Sequence, residues 1–245
     1  MVYMGSKNRI AKDLLPIITK YLTADRWYVE PFCGGCNMID KVKHNKRIAG
    51  DVNEYLIALF QELQKNPCLP EFVNRETYYK VKDNKDKYPM WFVGHVGFNC
   101  SRLGKFFDCY IGEQNGRNYQ REHSNNILKQ IFELKDVKFV CGKYSDIYIP
   151  DNSVIYCDPP YANTRKYRDS FNHENFWQWC RNMTVKNHDV LISEYNAPND
   201  FTCVWEKEVN VAIAVSKTHK PTEKLFVHKS IAEKYITNGL NIFEL

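Results

Sequence analysis

Residues 158–161, which read Asp-Pro-Pro-Tyr, constrain this chain more than any other feature. They directly follow the apolar run 154–157, and three turn-forming residues at 151–153 precede that run. The run therefore indicates a buried strand, and the two prolines must end it because proline donates no backbone hydrogen bond. In open α/β sheets, ligands bind outside the carboxyl ends of strands. The tetrapeptide thus occupies the expected place for chemistry, in a stiff loop rich in hydrogen-bond acceptors.

Short apolar segments alternate with helical patterns towards both ends of the chain. Helical spacing predicts amphipathic helices over 10–22, 55–63 and 127–134, and a further helix directly after Gly34-Gly35. Apolar runs predict strands at 27–29, 47–51, 137–141, 153–157, 189–193, 204–209 and 226–227. We therefore predict an α/β fold, a mostly parallel sheet covered by helices.

The periodicity breaks down between residues 66 and 123, where the sequence becomes aromatic, basic and rich in glycine and asparagine. We interpret residues 66–123 as an inserted module. Residues 1–65 and 124–245 then form one discontinuous domain.

Composition excludes several classes of protein. The formal net charge of +5 favours a polyanionic partner but is far below that of a histone-like binder. Nine scattered cysteines are typical of reduced intracellular thiols rather than of a disulfide framework. No apolar stretch approaches the roughly 18 residues of a membrane span, and charges interrupt the N-terminus. We expect a cytoplasmic protein with no membrane partner.

The acceptor groups of the tetrapeptide suit an exocyclic amine on a nucleobase. The Asp158 carboxylate and the Pro159 carbonyl can each accept one amino hydrogen, which shifts electron density to the nitrogen and directs its lone pair at a methyl sulfonium. Tyr161 can stack on the base, an interaction worth ~1–3 kcal/mol. The alternative is a Pro-Pro turn carrying a solvent-exposed aspartate.

A second motif lies at residues 28–36, which read Tyr-Val-Glu-Pro-Phe-Cys-Gly-Gly-Cys. Adjacent glycines let a backbone approach a ligand, although the G-x-G-x-x-G spacing of dinucleotide folds is missing. Asp51 follows at the tip of the next strand, where a carboxylate can bind ribose hydroxyls. The two features together indicate an adenosine-containing ligand, and the alternative is a tight turn with a helix-capping aspartate.

Cys33 and Cys36 form the only C-x-x-C in the chain. Zinc would need a second pair, so we expect no metal. A thiol oxidoreductase stays open as an alternative, but two small residues packing a glycine loop fit the pair better.

These motifs resemble the Dam-like (D12 class) DNA adenine N6-methyltransferases of bacteria or phages, in the order with cofactor motifs first, target recognition inserted and the Asp-Pro-Pro-Tyr motif last. The resemblance implies a Rossmann-like fold for S-adenosylmethionine (SAM), with a terminal antiparallel hairpin strand that includes residues 222–226. It also implies base flipping in duplex DNA, in-line transfer to adenine N6, and S-adenosylhomocysteine (SAH) as product.

The resemblance assigns residues in two sets. Residues 3–7 resemble the family's aromatic-x-G-x-K motif, and residues 30–35 resemble its E-P-F-x-G-x-G loop, although Cys36 stands where the family often has glycine. The implied cofactor contacts are Tyr3, Met4, Gly5, Lys7, Glu30, Pro31, Phe32, Gly34, Gly35, Asp51 and Asp158. The implied catalytic residues are Asp158, Pro159, Pro160 and Tyr161.

Candidate DNA contacts fall in the inserted module. Gly97-Phe98-Asn99 resembles a segment that contacts target DNA in the Dam group, with a different spacing to the arginine. We assign phosphates to Lys105, Arg117 and Arg121, and base edges to Asn99 and Arg102, because asparagine reads adenine and arginine reads guanine. A solvated basic face is the alternative for each of them.

Several functions stay open. Cytosine N4 methylation uses the same amine chemistry, and an RNA methyltransferase or a non-catalytic nucleic-acid-binding module would share these motifs. A C5-cytosine enzyme is excluded because the only Pro-Cys pair, at 67–68, lacks its supporting E-N-V element. We expect a monomer, with a dimer as the alternative. The recognition sequence and any partner nuclease do not follow from the residues.

Overall fold

The computed structural model describes residues 1–161, 171–209 and 222–237. Its helices are α1 (Ala11–Lys20), α2 (Glu54–Lys65), α3 (Arg75–Asp83), α4 (Met90–Asn99), α5 (Tyr119–Ile131), α6 (His173–Val185) and α7 (Lys229–Thr237). Its strands are β1 (Tyr28–Glu30), β2 (Arg47–Asp51), β3 (Glu113–Gln114), β4 (Arg117–Asn118), β5 (Val137–Cys141), β6 (Val154–Cys157), β7 (Asp189–Glu194), β8 (Phe201–Glu208) and β9 (Thr222–His228).

Seven of the strands form one sheet in the order β5-β2-β1-β6-β7-β9-β8. The pairs β2/β5, β1/β6 and β6/β7 are parallel, whereas β9 runs antiparallel to both β7 and β8. A mostly parallel sheet that ends in an antiparallel hairpin is the Rossmann-like arrangement expected from the sequence, so the predicted fold class is confirmed.

Two compact units divide the chain. The first contains residues 1–15 and 31–148, including β2, β5 and helices α2 to α5. Helix α2 begins where the Asn53 side chain accepts a hydrogen bond from the backbone of Leu56 (3.0 Å), which satisfies a donor that the helix leaves open. Its apolar face is buried, and Phe60 stacks on Phe139 of β5 with ring centroids 5.1 Å apart.

Helices α3 and α4 share an apolar cluster in this first unit. Its buried members are Val73, Tyr78, Val81, Val93, Val96, Cys100 and Phe107. In α4, every residue from 93 to 99 is buried, so no polar face interrupts the apolar one. A helix that is buried on all sides has no amphipathic period, and this is why the spacing of its residues does not reveal it. The domain boundary at residues 66–123 stays a prediction.

The second unit contains residues 16–30 and 149–245, with β1 and β6 to β9. All residues of β6 and β7 are buried, as expected for strands covered on both faces. Arg26 is buried beside Asp189 and also donates to the carbonyl groups of Tyr21 (2.6 Å) and Ser153 (3.1 Å). A buried charge is tolerated only when it is paired and hydrogen-bonded, and Arg26 meets both conditions.

Most predicted elements are present, with β2 and β5 at their predicted bounds. The prediction of a helix directly after Gly34-Gly35 is wrong, because only a short 3-10 turn at Ile39–Lys41 follows the glycines. Cys36 adopts a left-handed conformation (φ 55°), and the side chain of Gln130 bonds the carbonyl group of Gly35 (3.1 Å). Strand β8 begins at Phe201, three residues before its predicted start.

Among the described residues, no helix has the length and apolar character needed to cross a membrane.

Candidate functional site

The N-terminal motif forms a turn in the first unit. Ser6 donates a backbone hydrogen bond to the carbonyl group of Tyr3 (3.2 Å), and Gly5 within the turn has a φ of 84°. This left-handed conformation favours glycine. Met4 is exposed at the turn, whereas Lys7 is buried in a short 3-10 segment that starts directly after Ser6.

The glycine loop packs under the ring of Tyr3. A Cβ atom on Gly34 would lie 2.7 Å from Tyr3 Cε1, and one on Gly35 would lie 2.6 Å from Tyr3 Cβ. Gly34 also has a positive φ of 45°. Both glycines are therefore required to make room for Tyr3, and the structure brings two of the predicted cofactor motifs into contact.

Asp51 lies at the carboxyl end of β2 and holds the same loop. Its Oδ2 atom accepts a hydrogen bond from the backbone of Gly34 (3.1 Å), and its Oδ1 atom accepts one from Asn53 (2.9 Å). Burial raises the pKa of Asp51 above its ordinary value. Each carboxylate oxygen can accept a second hydrogen bond, so Asp51 keeps acceptor capacity for a hydroxyl group.

Cys36, the departure from the family pattern, fits the loop without altering its turn. It is fully buried, and its left-handed backbone is the conformation that a glycine adopts readily. The sulfur atoms of Cys33 and Cys36 lie 3.9 and 4.0 Å from the carbonyl oxygen of Gly34. Two buried thiols against one carbonyl group suit packing better than thiol exchange, which needs access for the attacking thiolate.

Gln130 is a positioning residue that the sequence reading missed. Its buried amide donates to the carbonyl groups of Gly35 (3.1 Å) and Cys36 (2.9 Å), so it fixes the loop from the side of α5. The sequence does carry a signal for it. Gln130 lies between Ile127 and Leu134 on the apolar face of the helix, where a polar residue needs a buried partner.

The predicted cofactor residues 30–32 divide between the two units. Pro31 is buried in the first unit, and Phe32 stacks there on Tyr144 with ring centroids 5.2 Å apart. Glu30 belongs to the second unit, where it is buried and accepts a hydrogen bond from the hydroxyl group of Tyr28 (2.7 Å).

The Asp-Pro-Pro-Tyr motif follows β6 in the second unit, as predicted. Asp158, Pro160 and Tyr161 are partly exposed, whereas Pro159 is buried. The hydroxyl group of Tyr161 donates to Glu223 of β9 (2.7 Å). Its ring meets that of Tyr195 edge to face, with centroids 4.6 Å apart. Tyr161 is therefore fixed by two contacts before any base arrives.

Two buried side chains at the end of β6, Tyr156 and Cys157, have raised pKa values. Burial raises the pKa of Tyr156 well above its ordinary value, and the charges of Asp158, Glu30 and Glu223 raise it further. Burial, the neighbouring Cys180 and the charges of Asp158 and Glu30 raise the pKa of the Cys157 thiol. Cys157 therefore has little thiolate character and is a poor nucleophile.

The five predicted DNA contacts differ in how available they are. Three of the basic side chains already have a carboxylate partner: Arg117 with Glu122, Arg121 with Glu71, and Lys105 with Asp108. Asn99 is completely buried, and its amide donates towards His95 (3.3 Å), a placement that does not suit a residue reading a base edge. Arg102 is exposed, and within the described part of the chain no acidic side chain pairs with it.

Leu103, next to Arg102, stands out and was not singled out from the sequence. It is 59% exposed and has a φ of 57°. A left-handed conformation costs an L-residue roughly 1–2 kcal/mol. Leu103 therefore combines an exposed apolar side chain with a strained backbone on the turn that carries Arg102.

No group of three or more His, Cys, Asp or Glu side chains in residues 1–161, 171–209 and 222–237 is arranged to hold a metal ion.

Comparison with known proteins identifies relatives of the whole region that carries these motifs. The profile of the D12 class N6 adenine-specific DNA methyltransferases matches residues 3–201. The chain is 23% identical to the type II methyltransferase M.FokI of Planomicrobium okeanokoites, over 85% of this chain. It is 26% identical to the type II methyltransferase M.MjaIII of Methanocaldococcus jannaschii over 67% of this chain, and 25% identical to the DNA adenine methylase of Escherichia coli K12 over 61%.

The chain spans only part of these relatives. The alignments cover 38% of M.FokI, 69% of M.MjaIII and 61% of the E. coli methylase. One solved structure, SMU.472 complexed with SAH, aligns over 91% of this chain and 52% of its own with 11% identity and a TM-score of 0.38, which is too low to bear on function.

We expect the Gln130→Leu variant to fold with lower stability and a disordered glycine loop. The change keeps the volume but removes the side-chain donor to the Gly35 carbonyl group and one of two donors to that of Cys36, and an unsatisfied buried group costs about 1–3 kcal/mol. Chemical denaturation measures the free energy of unfolding. The exposed Gln178→Leu change in α6 serves as the control, since it should cost less than about 0.5 kcal/mol. Equal stability of the Gln130 variant and the wild type would contradict the assigned role.

We expect the Asp51→Asn variant to lose a pH dependence of stability. Because burial raises the pKa of Asp51 in the folded chain, the folded state holds this proton to a higher pH than the unfolded chain does. The free energy of unfolding of the wild type should therefore fall, relative to the variant, as pH rises from the ordinary pKa through the raised one. Denaturation at a series of pH values measures this, and parallel curves would rule the shift out.

Proposed function

Since the chain belongs to the D12 class N6 adenine-specific DNA methyltransferases, we propose that it transfers a methyl group from SAM to the exocyclic N6 of an adenine in duplex DNA. The observation that carries this proposal is the Asp-Pro-Pro-Tyr sequence at the carboxyl end of the buried strand β6, inside the matched residues. The placement meets the rule that ligands bind at this end of a parallel sheet.

The residues of the first unit fit an adenosine-containing cofactor. Asp51 ends a buried strand with acceptor capacity to spare, which suits ribose hydroxyls. Its contact with Gly34 and the packing of Tyr3 on the glycine loop fix the surroundings in advance. In our proposal the residues that hold the cofactor are Tyr3, Met4, Gly5, Lys7, Glu30, Pro31, Phe32, Gly34, Gly35, Asp51 and Asp158.

When bound, SAM supplies a methyl group on a positively charged sulfur atom. The chain's own residues act on the amine. The Asp158 carboxylate and the Pro159 carbonyl accept hydrogen bonds from its two N–H groups, so the nitrogen lone pair is withdrawn from the ring and oriented for attack. The nitrogen loses one of these protons to water when it gains the methyl group. Positioned acceptors of this kind need no covalent enzyme intermediate, because orientation and electrostatics supply the catalysis.

Tyr161 supports the flipped base. Flipping costs a few kcal/mol, which stacking and backbone contacts must offset. Because Glu223 and Tyr195 already fix the Tyr161 side chain, little side-chain entropy is lost when a base stacks on it.

Duplex DNA is the proposed partner, bound through residues 66–123 by a monomer. Net charge of +5 favours a polyanion. Arg102 is the predicted contact best placed for this, since it is exposed and no acidic side chain among the described residues pairs with it. Lys105, Arg117 and Arg121 must exchange a carboxylate for a phosphate to take part. Asn99 is left out because it is buried.

The decisive experiment is to sequence modified bases in DNA from cells that lack their own adenine methylation and express the gene. We expect N6-methyladenine in one short motif. The Asp158→Ala variant should give none, whereas the control Asp146→Ala, which removes an exposed carboxylate elsewhere, should give the full level. N4-methylcytosine, modified RNA alone or no modification would each contradict the proposed reaction.

We expect Tyr161→Ala to reduce kcat/KM for DNA by about 5- to 150-fold, because the loss of ~1–3 kcal/mol of stacking corresponds to that factor. Tyr161→Phe keeps the ring and loses only the bond to Glu223, so its loss should be smaller. Tyr148→Ala, at a 79% exposed tyrosine, is the matched control. A Phe variant as impaired as the Ala variant would show that the hydroxyl group, not stacking, matters.

A further inference from the structure

The turn that carries Arg102 and Leu103 rests on the N-terminal segment. Gly104 has a φ of 62°, and a Cβ atom there would lie 2.2 Å from the carbonyl oxygen of Val2 and 2.9 Å from the backbone nitrogen of Tyr3. These are backbone atoms, which cannot move aside as the end of a flexible side chain can. Only glycine fits between the turn and residues 2–3.

The turn is held as one rigid piece. The backbone of Arg102 donates to Cys109 (2.8 Å), and that of Gly104 donates to Ser101 (3.2 Å). Ser101 is fully buried and shares a hydrogen bond with the hydroxyl group of Tyr78 (2.8 Å). Movement of Gly104 therefore carries the exposed side chains of Arg102 and Leu103 with it.

The other side of the same segment touches the glycine loop. Tyr3 follows Val2 directly, and its ring packs on Gly34 and Gly35. Gly34 is in turn bonded to Asp51. An unbroken series of contacts thus runs from Leu103 through Gly104 and residues 2–3 to the glycine loop, all within the first unit.

We propose that Gly104 is a positioning residue that couples the binding of SAM to the binding of duplex DNA. This inference rests on the proposed function and deepens it. A ligand that shifts Tyr3 or the glycine loop also shifts the turn, because Gly104 abuts residues 2–3, so binding of one ligand changes the site that the other meets. The coupling is reciprocal, because each ligand must change the affinity of the other by the same factor.

The test is isothermal titration of SAH into the full chain, without and with a saturating short duplex that carries the methylated motif. We expect the duplex to tighten SAH binding by about 5- to 150-fold, the usual range of such coupling. In Gly104→Ala this factor should fall close to one. The matched control is Gly116→Ala, where φ is 74° but no atom lies within 4 Å, so it carries the same backbone strain without the contact. It should keep the wild-type factor.

A Gly104 variant with the wild-type coupling factor would overturn the inference, and so would loss of the factor in both glycine variants. Should Gly104→Ala fail to fold, Leu103→Ala is the second variant, since its exposed side chain can be removed without repacking. It should leave SAH binding without DNA unchanged and lower the coupling factor, and an unchanged factor would count against the inference. A wild type that methylates DNA without coupling refutes this inference alone, whereas a wild type that neither binds SAH nor methylates DNA refutes the proposed function.

Discussion

The candidate site in the first unit depends on the space that the glycine loop leaves for the ring of Tyr3. The Tyr3 side chain occupies the space that Cβ atoms on Gly34 and Gly35 would need. Because both residues are glycines, Tyr3 can pack directly on the backbone of the loop. The space also brings the Gly34 amide to Asp51, and Gln130 bonds the next carbonyl groups. The two glycines therefore let the Tyr3 ring pack closely on the loop, and this packing positions the backbone of the loop.

In the second unit, the candidate site depends on carboxylates that lie near the end of strand β6. Burial raises the pKa of Tyr156 and the charges of nearby carboxylates raise it further, while Tyr161 donates to Glu223. Acidic groups near apolar strands oppose folding, because burial disfavours their charged form. Groups with shifted pKa values are frequent at functional sites, so the raised pKa values at this strand end agree with the proposed chemistry.

Sequence reasoning succeeded where burial and chain direction follow from local pattern. Strands β2 and β5 are apolar runs between polar residues, and the proline pair marks the end of β6. It failed where tertiary contacts decide. Helix α4 is buried on all sides over residues 93–99 and shows no amphipathic period, and nothing in the sequence places the side chain of Asn99 inside. A leucine before a glycine carries no signal of a left-handed backbone, so the sequence could not predict the conformation of Leu103.

The paired charges of the inserted region also bear on how DNA would be recognised. An arginine that leaves Glu122 or Glu71 for a phosphate exchanges one anion for another, so it releases fewer counterions and adds little to non-specific affinity. Arg102, which has no such partner among the described residues, gains the full interaction. In the proposed complex Arg102 therefore adds more affinity per phosphate contact than Arg117 or Arg121 does, and Gly104 joins its turn to the N-terminal segment.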